Sequence, residues 1–370
     1  MTTIRSRSLA IGLLLLAASS SRALASDRVA VKSPNGEIRL EIFSANGRLT
    51  FAVQRAGRPV IDPSPLGLLL DGNDLGRGVE LGEAETYRFD ERYPTRGVHS
   101  SADNRGNGVR VSARHGASGI HYTVAARAFD DGVAFRTVVP GDDVERVPDE
   151  ATVFRPAAGS TVWYHNLRGH YERVHVKKAA GEVQAGESAA IPLTFKLPEG
   201  GGYASITESV LGGFPGMALQ ADGSGGFAAR LGHAHPASYP FTLRYKDDVE
   251  RVARPASYKG MISSPWRVVM VAADLNTLVN CDIVSHLAPP PDPSVFPEGL
   301  ATTWVKPGRA VWKFLDGGES SLDGMKEFSA CHGFWGGHQT SRQWSAMLRA
   351  TDHLLVRSQQ GGQHVGGRPL

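Results

Sequence analysis

The side chains that could do chemistry here are a scattered set of carboxylates, histidines and aromatic rings, few of them at spacings that would bring them together. Glu208, in Ile206-Thr207-Glu208-Ser209, offers the oxygen that a hard dication prefers at a strand or loop end. Such an ion needs about six to eight oxygens, and a lone glutamate is ordinarily a solvated surface residue. His165, His170 and His175 recur at intervals of five. That period fits neither a helix face nor strand alternation, so it gives no support to a zinc cluster. Asp130-Asp131-Gly132 resembles the opening of a calcium loop whose other ligand positions are absent, and turn formation accounts for it. Arg136 reads as a structural partner. Tyr203, Phe214 and Trp266 could stack on sugar rings, although aromatic residues in strand-rich chains ordinarily fill the core. The two cysteines, Cys281 and Cys331, cannot be paired from spacing and read as unpaired or buried thiols.

These groups must be positioned by strands. The 370 residues include 41% hydrophobic side chains, 43 Gly and 22 Pro, enough for two cores in a turn-rich fold. A formal net charge of +3 without a long like-charge block excludes a nucleic-acid or anionic-membrane binder as the expected class and favours small-molecule partners. Arg5 and Arg7, the apolar run Leu9 to Ala18 and Ala23-Leu24-Ala25 read as a signal peptide over residues 1–25. The mature chain is therefore expected in the periplasm or outside the cell, with no membrane span after cleavage. Ile38, Leu40 and Ile42 alternate with polar residues, Asn46-Gly47 signals a tight turn, and Leu49, Phe51 and Val53 alternate again: a hairpin. Ile120, Tyr122 and Val124, then Asp130-Asp131-Gly132, then Val133, Phe135, Thr137 and Val139 repeat the device. Many short strands with little helix predict a mainly β fold of stacked antiparallel sheets over residues 26–287. Pro289-Pro290-Pro291-Asp292-Pro293 marks a stiff linker over 288–298, because proline fixes its own backbone angle and lacks a donor. Beyond it, Trp304 to Trp312 reads as a strand entry, and Ser321 to Ser329 as the start of a helix capped by Ser321. Residues 331–370 lose the turn-and-core grammar and are expected to pack poorly.

Several strings, in this order, resemble glycoside hydrolase family 97: Ser33-Pro34-Asn35-Gly36, Ser64-Pro65-Leu66-Gly67-Leu68, Asp130 to Arg136, Ile206-Thr207-Glu208-Ser209 with Phe214-Pro215-Gly216-Met217, and Lys306-Pro307-Gly308-Arg309 with Trp312. The resemblance implies an antiparallel β-supersandwich like that of galactose mutarotase, then a (β/α)8 barrel and a small β domain. It implies cleavage of α-linked glucosides or galactosides, with calcium at the active site and Glu208 as the ligand reaching from the sandwich. Two carboxyl groups would flank the glycosidic bond, one to protonate the leaving oxygen and one to activate water or attack the sugar.

In that family the catalytic pair lies on later barrel strands. A complete barrel takes roughly 250 residues, so residues 299–330 read as the start of a truncated barrel, and no catalytic residue is assigned. Trp312 and Phe314 would sit near the end of the first barrel strand, as substrate contacts for an oligosaccharide or α-glycoside. The expected function is a secreted glycosidase fragment, inactive alone and binding calcium weakly. The alternative is a non-catalytic carbohydrate-binding or mutarotase-like sandwich. A mutarotase needs a histidine acid and a carboxylate base in one cleft, and no motif sets His121, His165 or His170 beside a glutamate.

Overall fold

A computed structural model describes residues 27–96, 98–168, 171–235, 246–305, 321–324 and 326. The leader at 1–25, His170, Trp312, Phe314, Cys331 and the tail at 331–370 lie outside the described residues. The chain divides into two units, one ending at Asp292 and the other beginning at Pro293.

In the first unit the alternating stretches become strands. Asn46 and Gly47 take φ of 50° and 70°, and join Ile38–Ala45 to Arg48–Arg55 through a two-residue turn. Positive φ at both central residues gives the primed turn whose twist matches a hairpin, and Asn-Gly is the pair that adopts it cheaply. With Arg28–Lys32 and Arg58–Pro65 these strands form a four-stranded sheet. The Asp130-Asp131 turn likewise joins His121–Phe129 to Gly132–Val139. Gly132 is required there, because a Cβ would lie 2.5 Å from the Val269 carbonyl oxygen.

That second hairpin belongs to a ten-stranded sheet. Its order runs Val176–Ala179, Thr161–Tyr164, Leu193–Lys196, Tyr203–Ser209, Trp266–Ala272, Gly132–Val139, His121–Phe129, Ser101–His115, Val79–Pro94, with Ile262–Ser263 beside Gly132–Val139. Two smaller sheets, of three and four strands, accompany them. Every strand pairing among the described residues is antiparallel. The fold is the expected antiparallel β-sandwich.

The inner faces enclose the main core. Leu40, Ile42, Phe51 and Val53 of the four-stranded sheet meet Val109, Val111, Val124 and Phe135 of the large one. Phe51 sits 4.6 Å from Phe135 and 5.7 Å from Phe154 between ring centroids. Each such fully buried side chain contributes on the order of 2–3 kcal/mol of transfer free energy. On the outer face of the large sheet, Ala125, Phe129, Ala134, Trp266 and Val268 are covered by Ile283 and Leu287 of the short helix Ile283–Leu287. Residues 288–295 follow as an exposed stretch without helix or strand.

In the second unit, Trp304 lies in a turn and packs against Phe296 with centroids 5.0 Å apart, while residues 306–312 of the expected strand entry lie outside the described residues. Ser321 does cap a helical turn: its Oγ accepts from the Gly324 N–H at 3.0 Å. Among the described residues no helix is long and apolar enough to cross a membrane.

Candidate functional site

Glu208 lies near the end of Tyr203–Ser209, and strand alternation decides where it points. Ala204 and Ile206 belong to the main core, so Glu208 continues their inward row. On the neighbouring strand Val269 and Val271 point inward, and so does Arg267, directly opposite Glu208. The same sheet period that buries aliphatic residues thus drives a carboxylate and a guanidinium together into the sandwich. Arg267 Nη1 donates to Glu208 Oε2 at 2.5 Å. A second carboxylate, Glu150 of Pro148–Glu150, accepts from Arg267 Nε at 3.0 Å and from Nη2. Side-chain exposures of 2% for Arg267, 4% for Glu150 and 9% for Glu208 make this a buried triad.

Backbone groups complete it. Beyond Ser209 the chain reverses through Val210, Gly212 and Gly213, at φ of 63°, 52° and 86°. Left-handed geometry is costly for a β-branched residue such as Val210. The reversal returns the chain to Met217, whose N–H donates to Glu208 Oε1 at 3.0 Å. Thr152 N–H donates to Glu150 Oε1 at 3.3 Å. Burial pushes the Glu208 carboxyl above its ordinary value, opposed by Arg267 and the Met217 amide and reinforced by Glu150. Asp149, next to Glu150 in sequence, has its Oδ2 3.4 Å from His233 Nε2.

A calcium ion fits poorly among these groups. Both Glu208 oxygens already accept hydrogen bonds, and a guanidinium beside them repels a dication. No set of three or more His, Cys, Asp or Glu side chains forms a metal site among the described residues. Oxygens from elsewhere would have to complete any cage of about six to eight ligands.

The other residues singled out from sequence have structural places. Phe214 is buried and stacks on Tyr258 at 5.4 Å, and Trp266 is buried in the outer-face cluster, so both serve as core; Tyr203 is half-buried at the start of its strand. Asp130 accepts from the Asn35 N–H at 2.9 Å and pairs with Arg105, while the Asp131 carbonyl accepts from the Val271 N–H. The pair builds a turn. Cys281 is a free thiol that donates to the Asp131 carbonyl at 3.7 Å, and burial raises its pKa far above the ordinary thiol range. His165 is buried, stacked on Tyr171 at 4.9 Å, with Nδ1 accepting from the Leu167 N–H. His121 is exposed on a strand separated by four others from the one that ends just before His165. They do not converge on one cleft. A cleft of about 440 Å³ between Ala30-Val31-Lys32 and the Val79–Pro94 strand includes none of the residues singled out from sequence.

Sequence reasoning missed Glu150 and Arg267. The signal available was the alternation Arg267, Val269, Val271, which puts a charge on an otherwise apolar inward row.

Comparison with known proteins gives this arrangement a context. Residues 31–290 match the family described as Glycosyl-hydrolase 97 N-terminal. A probable retaining alpha-galactosidase of Streptomyces bingchenggensis (strain BCW-1) is 34% identical over 284 residues, covering 76% of this chain and 40% of that protein. A retaining alpha-galactosidase of Bacteroides thetaiotaomicron is 25% identical over 320 residues, covering 79% of this chain and 45% of that protein. The chain therefore spans less than half the length of these relatives. The fold is similar to that of a glycoside hydrolase family 97 enzyme from Pseudoalteromonas sp. strain K8, solved with acarbose. The TM-score is 0.61 at 23% identity, over 71% of this chain and 38% of that one.

Proposed function

Because the chain belongs to the glycosyl-hydrolase 97 family through residues 31–290, we propose that it is the sandwich domain of a secreted glycoside hydrolase acting on α-linked galactosides. The observation that carries this is Glu208: a carboxylate at a strand end, inside the string shared with the family, held by Arg267 and the Met217 amide beside a glycine-rich reversal. The names of the two curated relatives favour a galactoside over a glucoside. Calcium is the cofactor of this reading, held mainly by oxygens from elsewhere, and Glu208 would supply one oxygen only on giving up its bond to Arg267, so this chain alone is expected to bind calcium weakly. Trp312 and Phe314 are the proposed sugar contacts, and residues 1–25 the proposed export signal. Catalysis needs a carboxyl pair that can flank a glycosidic bond. Glu150 and Glu208 are instead bridged by one arginine in the core, where a sugar has no room. That pair is therefore not the catalytic one, and the chain by itself is expected to be inactive.

The test transplants residues 31–290 into the corresponding segment of the Streptomyces bingchenggensis relative. We expect the chimera to hydrolyse p-nitrophenyl α-galactoside, Glu208→Gln to lower that rate at least tenfold with partial rescue by calcium, and the chain alone to show neither turnover nor a calcium-dependent melting shift. A folded but inactive chimera, or turnover that follows the chain alone through purification, overturns the reading.

A further inference from the structure

The outer face of the ten-stranded sheet carries a cluster that the Glu208 site does not use. Arg110, Arg127 and Arg136 come from three adjacent strands, on the face opposite Val109, Val111, Ala126 and Phe135. Register sets Arg110 and Arg136 on either side of Ala125, with Arg127 two residues along from it. Each guanidinium lies over an aromatic ring: Arg110 4.4 Å from the Tyr87 centroid, Arg127 4.9 Å from Phe89 and 5.1 Å from Trp266, and Arg136 4.5 Å from Trp266. Tyr87 and Phe89 can lie over the sheet because Gly108 and Gly106 stand opposite them; a Cβ there would come within 2.1 and 2.4 Å of the rings. The sequence has thus built an aromatic floor and set three cations on it.

Three guanidinium groups so placed repel one another, and cation–π contacts offset only part of that. Arg110 has Glu85 at 3.4 Å, and Arg127 donates through Nε to the Tyr87 hydroxyl at 3.2 Å. Arg136 makes no ion pair among the described residues, and its Nε is buried without a hydrogen-bond partner. Burial, then Arg127, holds its pKa below arginine's ordinary value, with Tyr87 opposing and Arg110 adding to the effect. A bound anion at the outer nitrogens of these guanidinium groups would relieve the repulsion.

We propose that this face is a binding site for a carboxylate, carried by a sugar acid or by a simple organic acid, gripped by Arg136 and Arg127. A guanidinium fork matches a planar carboxylate with two parallel hydrogen bonds. Half-buried surroundings favour a monoanion, because desolvating a dianion costs more.

Calorimetric titration of the full chain at constant ionic strength tests this with D-galacturonate, acetate, inorganic phosphate and neutral D-galactose. Galacturonate is expected to bind while galactose and phosphate do not. Tighter binding of galacturonate than of acetate identifies a sugar acid, and equal binding a simple carboxylate. Arg136→Gln and Arg127→Gln should each weaken carboxylate binding about tenfold, the loss of one charge-assisted contact. Arg136→Gln removes mutual repulsion, so its melting temperature should not fall. Absence of carboxylate binding to the unmodified chain, equal binding of phosphate or galactose, or unchanged affinity in a folded Arg136→Gln variant overturns the proposal.

Discussion

Arg267 is the residue on which the buried site turns, because it neutralises two carboxylates that otherwise share a desolvated space. Arg267→Ala leaves Glu150 and Glu208 facing each other without a counter-charge, and breaking a buried pair in this way costs about 3–5 kcal/mol. Urea unfolding should register that loss. Arg267→Lys should recover only part of it, since a point charge cannot present separate edges to two acceptors. A Lys variant as stable as the parent would show that charge alone, without fork geometry, suffices. Glu208 carries a pH dependence of definite sign. Its carboxyl titrates above the ordinary 4.5 in the folded chain, so the folded state binds the proton more tightly than the unfolded state. The stability it contributes is therefore complete below that ordinary value and declines as pH rises through the folded value. Glu208→Gln cannot titrate, so the melting temperature of the parent relative to this variant should fall over that interval. A difference that is flat with pH would mean that the Arg267 pairing cancels the cost of burial.

At the scale of elements, turns that state their geometry in sequence could be read, and pairings that depend on distant partners could not. Asn46-Gly47 announced a hairpin because few residues tolerate positive φ at both turn positions, and Asp130-Asp131-Gly132 because Asp and Gly favour turns. The long ribbon of Val79–Pro94 and Ser101–His115 went unrecognised, since much of it is solvent-facing and charged and its inward row is broken by a register shift between Leu81 and Ala84. The hairpin Met217–Ala221 to Phe227–Leu231 shows a local device that can be tested. Asp222 Oδ1 accepts from the Ser224 N–H and hydroxyl, each at 2.8 Å, and from the Gly226 N–H at 2.9 Å, while Oδ2 pairs with Arg155. Burial pushes this carboxyl upward, but the Ser224 and Gly226 bonds and Arg155 outweigh it and hold the pKa below the ordinary 3.8. A depressed folded-state pKa means stability present above that value and lost as pH falls through the lower one. The melting temperatures of the parent and Asp222→Asn should therefore differ near neutrality and converge under acid. Parallel curves would assign the turn's stability to its glycines instead.

At the scale of the whole molecule, composition and strand pattern were enough to read a β-sandwich. The site itself was only one-third readable. Glu208 stood out through its surrounding string, but Arg267 and Glu150 lie 59 and 117 positions from their partners in sequence and meet only through strand register. Register is a property of the assembled sheet, which a one-dimensional pattern does not contain. The same assembly predicts how the chain yields to a protease. Among the described residues up to Leu287, antiparallel ladders tie much of the backbone and the last helix is pinned by Ile283 and Leu287, with the Ser209 hydroxyl donating to the Val284 carbonyl at 2.7 Å. Residues 288–295 are exposed and belong to no helix or strand. Cleavage requires a protease to draw out an extended segment, which an exposed stretch outside every helix and strand allows without unfolding its neighbours. Because proline resists many proteases, a broad-specificity enzyme is the right probe. Limited digestion should then leave a resistant fragment that begins near Arg28, ends between Ala288 and Val295, and unfolds in one cooperative transition. Primary cuts inside the ten-stranded sheet, or a resistant fragment that keeps the residues past Val295, would show that the sandwich does not hold together as a unit of its own.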